Sequence, residues 1–510
     1  LAQHGKLEDA QRLSRLYCKC VPTQGDGWFL NGYVHQLDGK LDQALEAYQR
    51  CAQLLPKRSM LRSNMAALYL QRDDLPVALA LLEEALDDEP HNALAWTNLA
   101  TLLLKRGQIA SAQAAAERAV TLAPDSSAAL HSYSNVLREL QEWDQAIEVI
   151  ERAYQLDPTN ASISWSRAML QLIHGDYTNG WTSHELRWKG SPELHNTVTN
   201  FPSPIWEGQP LAGKTLYVWG EQGHGDVLQF VRFVPLLAER VKREGGDLCY
   251  STFPALQSLV QRSLRGVVND VLTSTMGTLP RFDYHLPLAS LPLRLGIGLD
   301  DLPVGAAYLT GDPDKVVAWR GRLHLHRGLK VGLAWTGSRS HQRNSMRSVD
   351  PMLYAQVFSR IRGAKFYCLQ VDASNDVAGM REVGLDLIDH TTEFASFDDT
   401  AAYLQSLDLV ITVCTSIAHL AGGLGVPTWL LLDVNPHWTW LTKFSYSPWY
   451  PSIKLYRQAC YGDWGTVIKQ IATELEEMVG LSVSRYYGYK LYRGVYIERG
   501  RENEGKAGLA

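Results

Sequence analysis

The chain has 510 residues, a hydrophobic content of 45% and a charged content of 20%, values typical of globular proteins. The length has room for a repeat array and two further domains, and a formal net charge of −5 gives no reason to expect nucleic acid or an anionic membrane as a partner. Seven scattered cysteines, no signal peptide and no apolar run of roughly 18 residues predict a cytoplasmic protein with free thiols and no membrane span.

The first third of the chain repeats itself every 34 residues. Three sets of residues keep this spacing: prolines at Pro22, Pro56, Pro90, Pro124 and Pro158, alanines at Ala10, Ala44, Ala78, Ala112 and Ala146, and bulky apolar residues at Leu7, Leu41, Leu75, Ile109 and Trp143. This period is typical of the tetratricopeptide repeat (TPR), a pair of helices that stacks into a solenoid with a concave surface. We predict a TPR array over residues 1–189, incomplete at its N-terminal end because Leu1 lies within a repeat.

Two asparagines, Asn64 and Asn98, occupy equivalent positions on the inner helices of the array. A row of asparagines at this place can hydrogen-bond the backbone of an extended peptide in the concave groove. The row is short here, because the equivalent residues of the neighbouring repeats are Leu30 and Ser132. Two interpretations are open, contact with a peptide or ordinary hydrogen bonding between helices. The array could also mediate self-association into a homo-oligomer.

The helical period ends in a stretch rich in proline and glycine, which we interpret as a linker over residues 190–213. The apolar run Lys214–Trp219, followed by a glycine-rich turn and a helical pattern, is the opening of an α/β unit. A second opening of this kind comes at Leu329–Trp335. We predict two Rossmann-like domains with a cleft between them, over 214–311 and 312–480, and a flexible tail over 481–510.

The turn of the first α/β unit reads Gly223-His224-Gly225-Asp226. Its glycines allow backbone amides to approach a ligand, and the helix that follows offers the positive end of its dipole. Asp226 has two interpretations. It either accepts hydrogen bonds from amides at the helix start, or acts in the cleft as a general base that removes a proton from an acceptor hydroxyl. The sequence alone favours the structural role.

Two further motifs follow strands and carry groups that suit a phosphate. The first is a basic loop that ends at Arg347 and Ser348, which is either a solvated loop or a set of donors for a diphosphate. The second is a helix start with Thr415 and Ser416, where hydroxyls and free amides form an anion site. His419, one turn further on, either faces the ligand or packs.

These residues together resemble the TPR-containing bacterial glycosyltransferases of the GT-B fold, which are similar to ADP-heptose:lipopolysaccharide heptosyltransferases. The domain order also resembles that of protein O-GlcNAc transferases and of flagellin glycosyltransferases with TPRs. The resemblance covers the repeats and roughly Phe201–Trp464. The blocks that carry it are Gly220–Asp226, Gly332–Trp335, Arg347-Ser348, Asp399–Ala402, Asp408–Val410, Thr415–Gly422, Ser447–Pro451 and Leu455–Gln458.

The resemblance implies an α-helical TPR solenoid followed by a GT-B fold. It implies an inverting, metal-independent enzyme without a cofactor, which transfers a sugar from a nucleotide-sugar co-substrate bound mainly by the C-terminal domain. The acceptor would be a hydroxyl of a protein held by the TPR groove, flagellin-like or another surface protein. Asp226 matches the general base, and the donor phosphates would be bound by Arg347, Ser348, Thr415, Ser416, His419, Gly223 and Gly225.

One position departs from the family pattern. Members usually read Val-Asp-Thr where this chain has Val413-Cys414-Thr415. Cys414 could signal an altered sugar, weakened activity or a degenerate enzyme, and its thiol is either reactive at a helix start or neutral and packed. The alternative function is therefore a TPR protein-binding scaffold with an inactive GT-B domain. An enzyme acting on lipid-linked or polysaccharide acceptors is a third option, against which the TPR array argues.

Overall fold

The computed structural model describes residues 6–194, 199, 201–275, 279–303, 305, 307–339 and 341–484, with side chains up to Gly480. It divides into two compact units, Leu1–Arg167 and Ala168–Ala510. The predicted tail lies outside the described residues from 485 onwards. Within the described ranges, no helix is both long enough and apolar enough to cross a membrane.

The first unit is a helical solenoid, as the 34-residue period predicts. Its helices are α1 (Leu7–Cys20), α2 (Gly25–Leu37), α3 (Leu41–Leu54), α4 (Ser59–Gln71), α5 (Leu75–Asp88), α6 (Ala93–Lys105), α7 (Ile109–Leu122), α8 (Ser127–Glu139) and α9 (Trp143–Leu156). The next helix, α10 (Ala161–Ile173), begins in the first unit and ends in the second. The repeating prolines stand in the turns between helices, because proline cannot continue a helix. The repeating alanines Ala44, Ala78, Ala112 and Ala146 are fully buried. Only a small side chain fits where neighbouring helices approach so closely.

The second unit contains two parallel sheets. The first sheet has β1 (Thr215–Trp219), β2 (Asp247–Thr252), β3 (Val271–Thr273) and β4 (Tyr284–Pro287) in the order β3-β2-β1-β4. The second has β5 (Leu329–Leu333), β6 (Ala364–Cys368), β7 (Leu387–Ile388), β8 (Leu409–Val413), β9 (Thr428–Leu432) and β10 (Ile453–Arg457) in the order β10-β9-β8-β5-β6-β7. The predicted openings of α/β units near residues 214 and 329 are confirmed by β1 and β5.

Helices precede, connect and follow the strands of both sheets. They are α11 (Tyr177–His184), α12 (Arg187–Gly190), α13 (His224–Phe230), α14 (Val234–Glu244), α15 (Gln257–Ser263), α16 (Leu291–Leu295), α17 (Pro313–Leu323), α18 (Asn344–Arg347), α19 (Pro351–Phe358), α20 (Ser374–Glu382), α21 (Phe397–Leu404), α22 (Ser416–Gly423) and α23 (Trp464–Ser484). Every residue of β8 and β9 is buried, as expected for central parallel strands covered on both faces.

The residues that precede the predicted linker belong to the second unit. The indole of Trp181 on α11 donates a hydrogen bond of 2.8 Å to the carbonyl of Ile297, and the indole of Trp449 donates one of 2.6 Å to the hydroxyl of Tyr177. Tyr177 and Trp181 are both buried. The repeat array was predicted to reach residue 189, whereas the first unit ends at Arg167. The spacing of glycines continues past that point, but the aromatic side chains there pack on the α/β region.

Candidate functional site

The strand order of the second sheet reverses at β5. This strand, the first of its sheet in the chain, is bonded to β6 on one side and to β8 on the other. In open parallel sheets, ligands bind outside the carboxyl ends of the strands at such a reversal. The segment that leaves β5 leads to Arg347 and Ser348, and the segment that leaves β8 leads through Cys414 to Thr415 and Ser416. The fold therefore brings both predicted phosphate motifs to one edge of one sheet.

Arg347 is a partly exposed residue at this edge. Its Nε donates to the side-chain oxygen of Asn344 at 3.4 Å, and a side chain at Gly337 would overlap the guanidinium. Among the residues that the structure describes, no carboxylate lies within ion-pair distance of Arg347. The neighbouring Arg343, by contrast, donates to Asp433 at 2.7 Å. Arg347 is thus a cation whose charge is not locally neutralised by a salt bridge.

The hydroxyl of Ser348 takes part in bonding within its own loop. It lies 2.7 Å from the hydroxyl of Thr336 and donates to the carbonyl of Asn344 at 2.6 Å. These bonds shape the loop that carries Arg347. The predicted contact between Ser348 and a phosphate stays a prediction.

Thr415 and Ser416 begin α22 as predicted. Thr415 is the N-cap, and its hydroxyl oxygen accepts from the amide of Ile417 at 3.3 Å. Ser416 is the first residue of the helix and lies three residues after the end of β8, whose residues are all buried. The start of α22 therefore lies at the strand end, where the first amides of a helix favour an anion.

His419 packs inside the second unit. Its Nδ1 lies 2.8 Å from the hydroxyl of Tyr450, and its ring stacks on that of Trp440 with 5.1 Å between centroids. The side chain is buried, and burial holds the pKa of His419 well below its ordinary value. A neutral imidazole held between two aromatic residues supports the packing interpretation and not the predicted role in binding a phosphate.

Cys414 is a packed thiol. The indole of Trp440 donates to its sulfur at 3.1 Å, and the side chain is buried. Burial raises the pKa of the Cys414 thiol above its ordinary value. Of the two interpretations of this residue, the structure supports the neutral cysteine, because a reactive cysteine needs a lowered pKa.

Gly225 brings the two glycine-rich motifs into contact. A Cβ at this position would stand 3.2 Å from the ring of His419 and 3.5 Å from the Cα of Ser416. The first turns of α13 and α22 therefore touch through a residue without a side chain. Asp226 is the next residue, and its charge contributes to the raised pKa of Cys414, two residues before α22.

Asp226 serves as a cap and has an unusual acidity. Its carboxylate accepts from the amide of Gly223 at 3.0 Å. Burial, with help from the charges of Glu221 and Glu193 and against the Gly223 hydrogen bond, raises the pKa of Asp226 to about 6. The structural role favoured by the sequence is present, yet a carboxylate that titrates near neutral pH also suits a general base.

His224 stands between segments that follow different sheets. Its ring lies 5.1 Å from that of Phe253, which follows β2, and 5.0 Å from that of Phe397, which begins α21. No sequence pattern predicts this cluster, because the three residues are far apart in the chain. Asp433 was also missed, although its place directly after the buried strand β9 was a usable signal. No group of three or more His, Cys, Asp or Glu side chains suited to a metal ion occurs in the described ranges.

The two asparagines of the repeat array both have partners inside the solenoid. Asn64 is buried and donates to the hydroxyl of Tyr48 at 3.2 Å. Asn98 donates to the carbonyl of Ser63 at 2.9 Å. These bonds support hydrogen bonding between helices, and contact with a peptide stays a prediction.

Comparison with known proteins supports the assignment of tetratricopeptide repeats to the first unit. The tetratricopeptide repeat family matches residues 64–127 and 97–161. Protein FlbA of Caulobacter vibrioides is 29% identical over 343 residues, which are 62% of this chain and 55% of FlbA. The chain thus spans about half the length of that relative.

Two solved structures are similar to part of the chain. The match to the Cut9–Hcn1 hetero-tetramer of the APC/C covers 38% of this chain and 40% of the compared chain, with 17% identity and a TM-score of 0.34. TTC0263, a TPR protein of Thermus thermophilus, matches 33% of this chain and 93% of its own, with 18% identity and a TM-score of 0.30. The chain contains tetratricopeptide repeats and is similar, over about three fifths of its length, to protein FlbA.

Proposed function

We propose that this chain is an inverting glycosyltransferase that moves a sugar from a nucleotide-sugar donor to a hydroxyl of a protein acceptor. In this proposal the two parallel sheets are the two domains of a GT-B fold, with the acceptor site on the first and the donor site on the second. The observation that carries it is the position of Asp226, whose pKa is near neutral, beside the start of α22 at the reversal of strand order.

The donor would bind at the carboxyl edge of β5 and β8. Arg347, which has no carboxylate at ion-pair distance among the described residues, supplies a forked donor for phosphate oxygens. The first amides of α22 and the hydroxyls of Thr415 and Ser416 add hydrogen bonds and the positive end of a helix dipole. These groups would stabilise the charge that develops on the leaving phosphate as the glycosidic bond breaks.

The acceptor hydroxyl would be activated by Asp226. Its oxygen attacks the anomeric carbon, its proton passes to the Asp226 carboxylate, and the bond from that carbon to the phosphate oxygen breaks. The electron pair of the broken bond leaves with the nucleotide. A pKa of about 6 keeps most of the carboxylate ionised at pH 7 and close in acidity to the working pH, which favours proton transfer.

The repeat array would recruit the protein acceptor. Solenoids of this kind present an extended concave surface, and proteins are their usual partners. A flagellin-like or other surface protein is the acceptor class that we propose, and no cofactor beyond the nucleotide sugar is required by the mechanism.

Thermal unfolding of the whole chain against nucleoside diphosphates, CMP and their sugar conjugates tests the donor site. A ligand at 100 times its Kd stabilises a protein by roughly 2.7 kcal/mol, so one nucleotide should raise the unfolding temperature clearly. Arg347→Ala should abolish this shift. Arg362→Ala, at the opposite edge of the same sheet, is the matched control and should retain it. If no nucleotide shifts the parent protein, the donor site is absent and a TPR scaffold with an inactive α/β region becomes the better account.

Measurement of sugar transfer tests the role of Asp226 as general base. With the identified donor and an acceptor protein, Asp226→Asn should reduce transfer by about 10² to 10⁴-fold while donor binding persists. Unchanged transfer in this variant would make Asp226 a helix cap only.

A further inference from the structure

Arg187 is bonded to the loop that carries Asp226. It begins α12, before the predicted linker, and its side chain is completely buried. Its Nε donates to one carboxylate oxygen of Glu221 at 3.1 Å, and a terminal nitrogen donates to the other at 2.8 Å. Glu221, two residues after β1, is itself buried. This two-point ion pair is the most enclosed in the part of the second unit that the structure describes.

Both members of the ion pair make further hydrogen bonds. Arg187 also donates to the hydroxyl of Ser290 and to the carboxylate of Glu185, each at 2.9 Å. Glu221 also accepts from the amide of Ala289 at 2.9 Å. Burial opposes the charge of the guanidinium, but Glu221 and Glu185 more than offset it and hold the pKa of Arg187 above its ordinary value. A charged, fully bonded pair has one geometry, so it fixes the position of Glu221.

The loop between Glu221 and Asp226 needs such support. Gln222 has a φ of 60°, in the left-handed region that is unfavourable for a residue with a side chain. A residue in this conformation persists only where its surroundings impose it. On one side of Gln222 stands the Arg187–Glu221 pair, and on the other the hydrogen bond from the amide of Gly223 to Asp226. The ion pair and the hydrogen bond therefore restrain the two ends of one short turn.

We propose that Arg187 is a positioning residue for Asp226, acting through Glu221. The pair holds the strained turn in the conformation that places the Asp226 carboxylate beside the start of α22. This inference rests on the proposed function of Asp226. It assigns a role at the site to a segment that the repeat pattern alone would place outside the α/β region.

The double variant Arg187→Met/Glu221→Met tests the proposal, because it removes the pair without leaving a buried charge unpaired. Nucleotide-induced stabilisation should equal that of the parent, since the donor groups follow β5 and β8. The value of kcat should fall on the order of 10²-fold, because displacement of a catalytic group by about 1 Å has this effect. The KM for the donor should stay unchanged and the acid limb of the pH–rate profile should move.

The matched control is Lys454→Met/Glu474→Met, which removes an ion pair between β10 and α23 in the same unit. It should keep both kcat and the pH–rate profile of the parent. If the test variant also keeps them, Arg187 has a structural role only and the proposal is overturned. If the test variant does not fold, Glu221→Gln replaces it. This variant keeps an oxygen for Ala289 and Arg187 but lacks the charge, and should show a smaller fall in kcat with the same shift in pH profile.

A readout without turnover separates this inference from the proposed function. Asp226→Asn is introduced into the parent and into the double methionine variant, and the four unfolding temperatures are compared. We expect the effect of Asp226→Asn to depend on the pair, because residues that share one turn are coupled. Additive effects would overturn the positioning role even if nucleotides bind. Coupling without any nucleotide binding would retain the positioning role and reject the transferase.

Discussion

The indole of Trp440 donates a hydrogen bond of 3.1 Å to the sulfur of Cys414. The glycosyltransferase pattern expected from the sequence has an aspartate at this position. A thiol in this buried site is neutral, whereas a carboxylate would add a negative charge beside the proposed donor site. A cysteine in place of an aspartate therefore leaves the site with one negative charge fewer. The hydrogen bond from Trp440 shows that the cysteine is well accommodated in the packing.

Cys414 should be unreactive. Burial raises the pKa of its thiol and limits access, so iodoacetamide should modify it far more slowly than Cys20 and Cys460, which are exposed. Mass spectrometry of the native protein over time measures the rates, and labelling in denaturant provides the reference. Labelling of Cys414 at the rate of Cys460 would contradict the packed arrangement.

Gly225→Ala should destabilise the second unit by about 1 kcal/mol. The new methyl group would stand 3.2 Å from the ring of His419, which cannot yield easily because Tyr450 and Trp440 hold it. Gly321→Ala in α17 is the matched control, since nothing lies within 4 Å of its Cβ, and it should stabilise by about 0.5–1 kcal/mol. Urea unfolding measures both changes, and the same sign for both would contradict the close approach of α13 and α22.

Asp226 should make stability depend on pH. The pKa of this group is raised to about 6 in the folded chain, against roughly 3.9 in the unfolded chain, so the folded state holds the proton more tightly. Its favourable contribution is complete below pH 4 and is lost as the pH rises through 6. Asp226→Asn should therefore gain stability relative to the parent between pH 4 and 7, by at most about 2–3 kcal/mol.

Thermal unfolding of both proteins across this pH range measures the difference. Asp270→Asn, at an exposed position, serves as the control for the loss of a carboxylate charge. A constant difference for Asp226→Asn would show that this carboxylate has an ordinary acidity.

Removal of Arg187 alone should be strongly destabilising. Arg187→Met leaves the buried carboxylate of Glu221 without its partner, which costs about 3–5 kcal/mol. The double variant with Glu221→Met should recover much of this loss, because neither charge then remains buried. Urea unfolding of the two variants gives the comparison, and equal stabilities would mean that the unpaired carboxylate of Glu221 carries no penalty.

Asn64→Ala should lower the stability of the repeat array by about 1 kcal/mol, because it removes the hydrogen bond to Tyr48. Asn135→Ala on α8, at a partly exposed position, is matched for helix propensity and should change stability by less than about 0.5 kcal/mol. Circular dichroism during urea unfolding is the measurement. If Asn64→Ala leaves stability unchanged and reduces binding of the acceptor protein, contact with a peptide is the better interpretation of this residue.

Local patterns in the sequence determined the repeat array and the openings of the two α/β units. Helices recur every 34 residues because each turn and each close helix contact depends on residues within one repeat, such as Pro56 and Ala44. The strands β1 and β5 were recognisable because a short apolar run before a glycine-rich turn is a local signal. Thr415 was likewise placed at a helix start by its immediate neighbours.

Only the tertiary structure decided which of these motifs meet. That β5 lies between β6 and β8 depends on strand pairing across many residues, and this order is what brings Arg347 and Thr415 to one edge. The packing role of His419 depends on its contact with Tyr450, which is 31 residues away in the chain. The ion pair of Glu221 depends on Arg187, which is 34 residues away. Contacts at such separations are set by how whole elements pack, and no local spacing encodes them. For the same reason, the end of the repeat unit at Arg167 became visible only from the packing of Tyr177 and Trp181 on the α/β region.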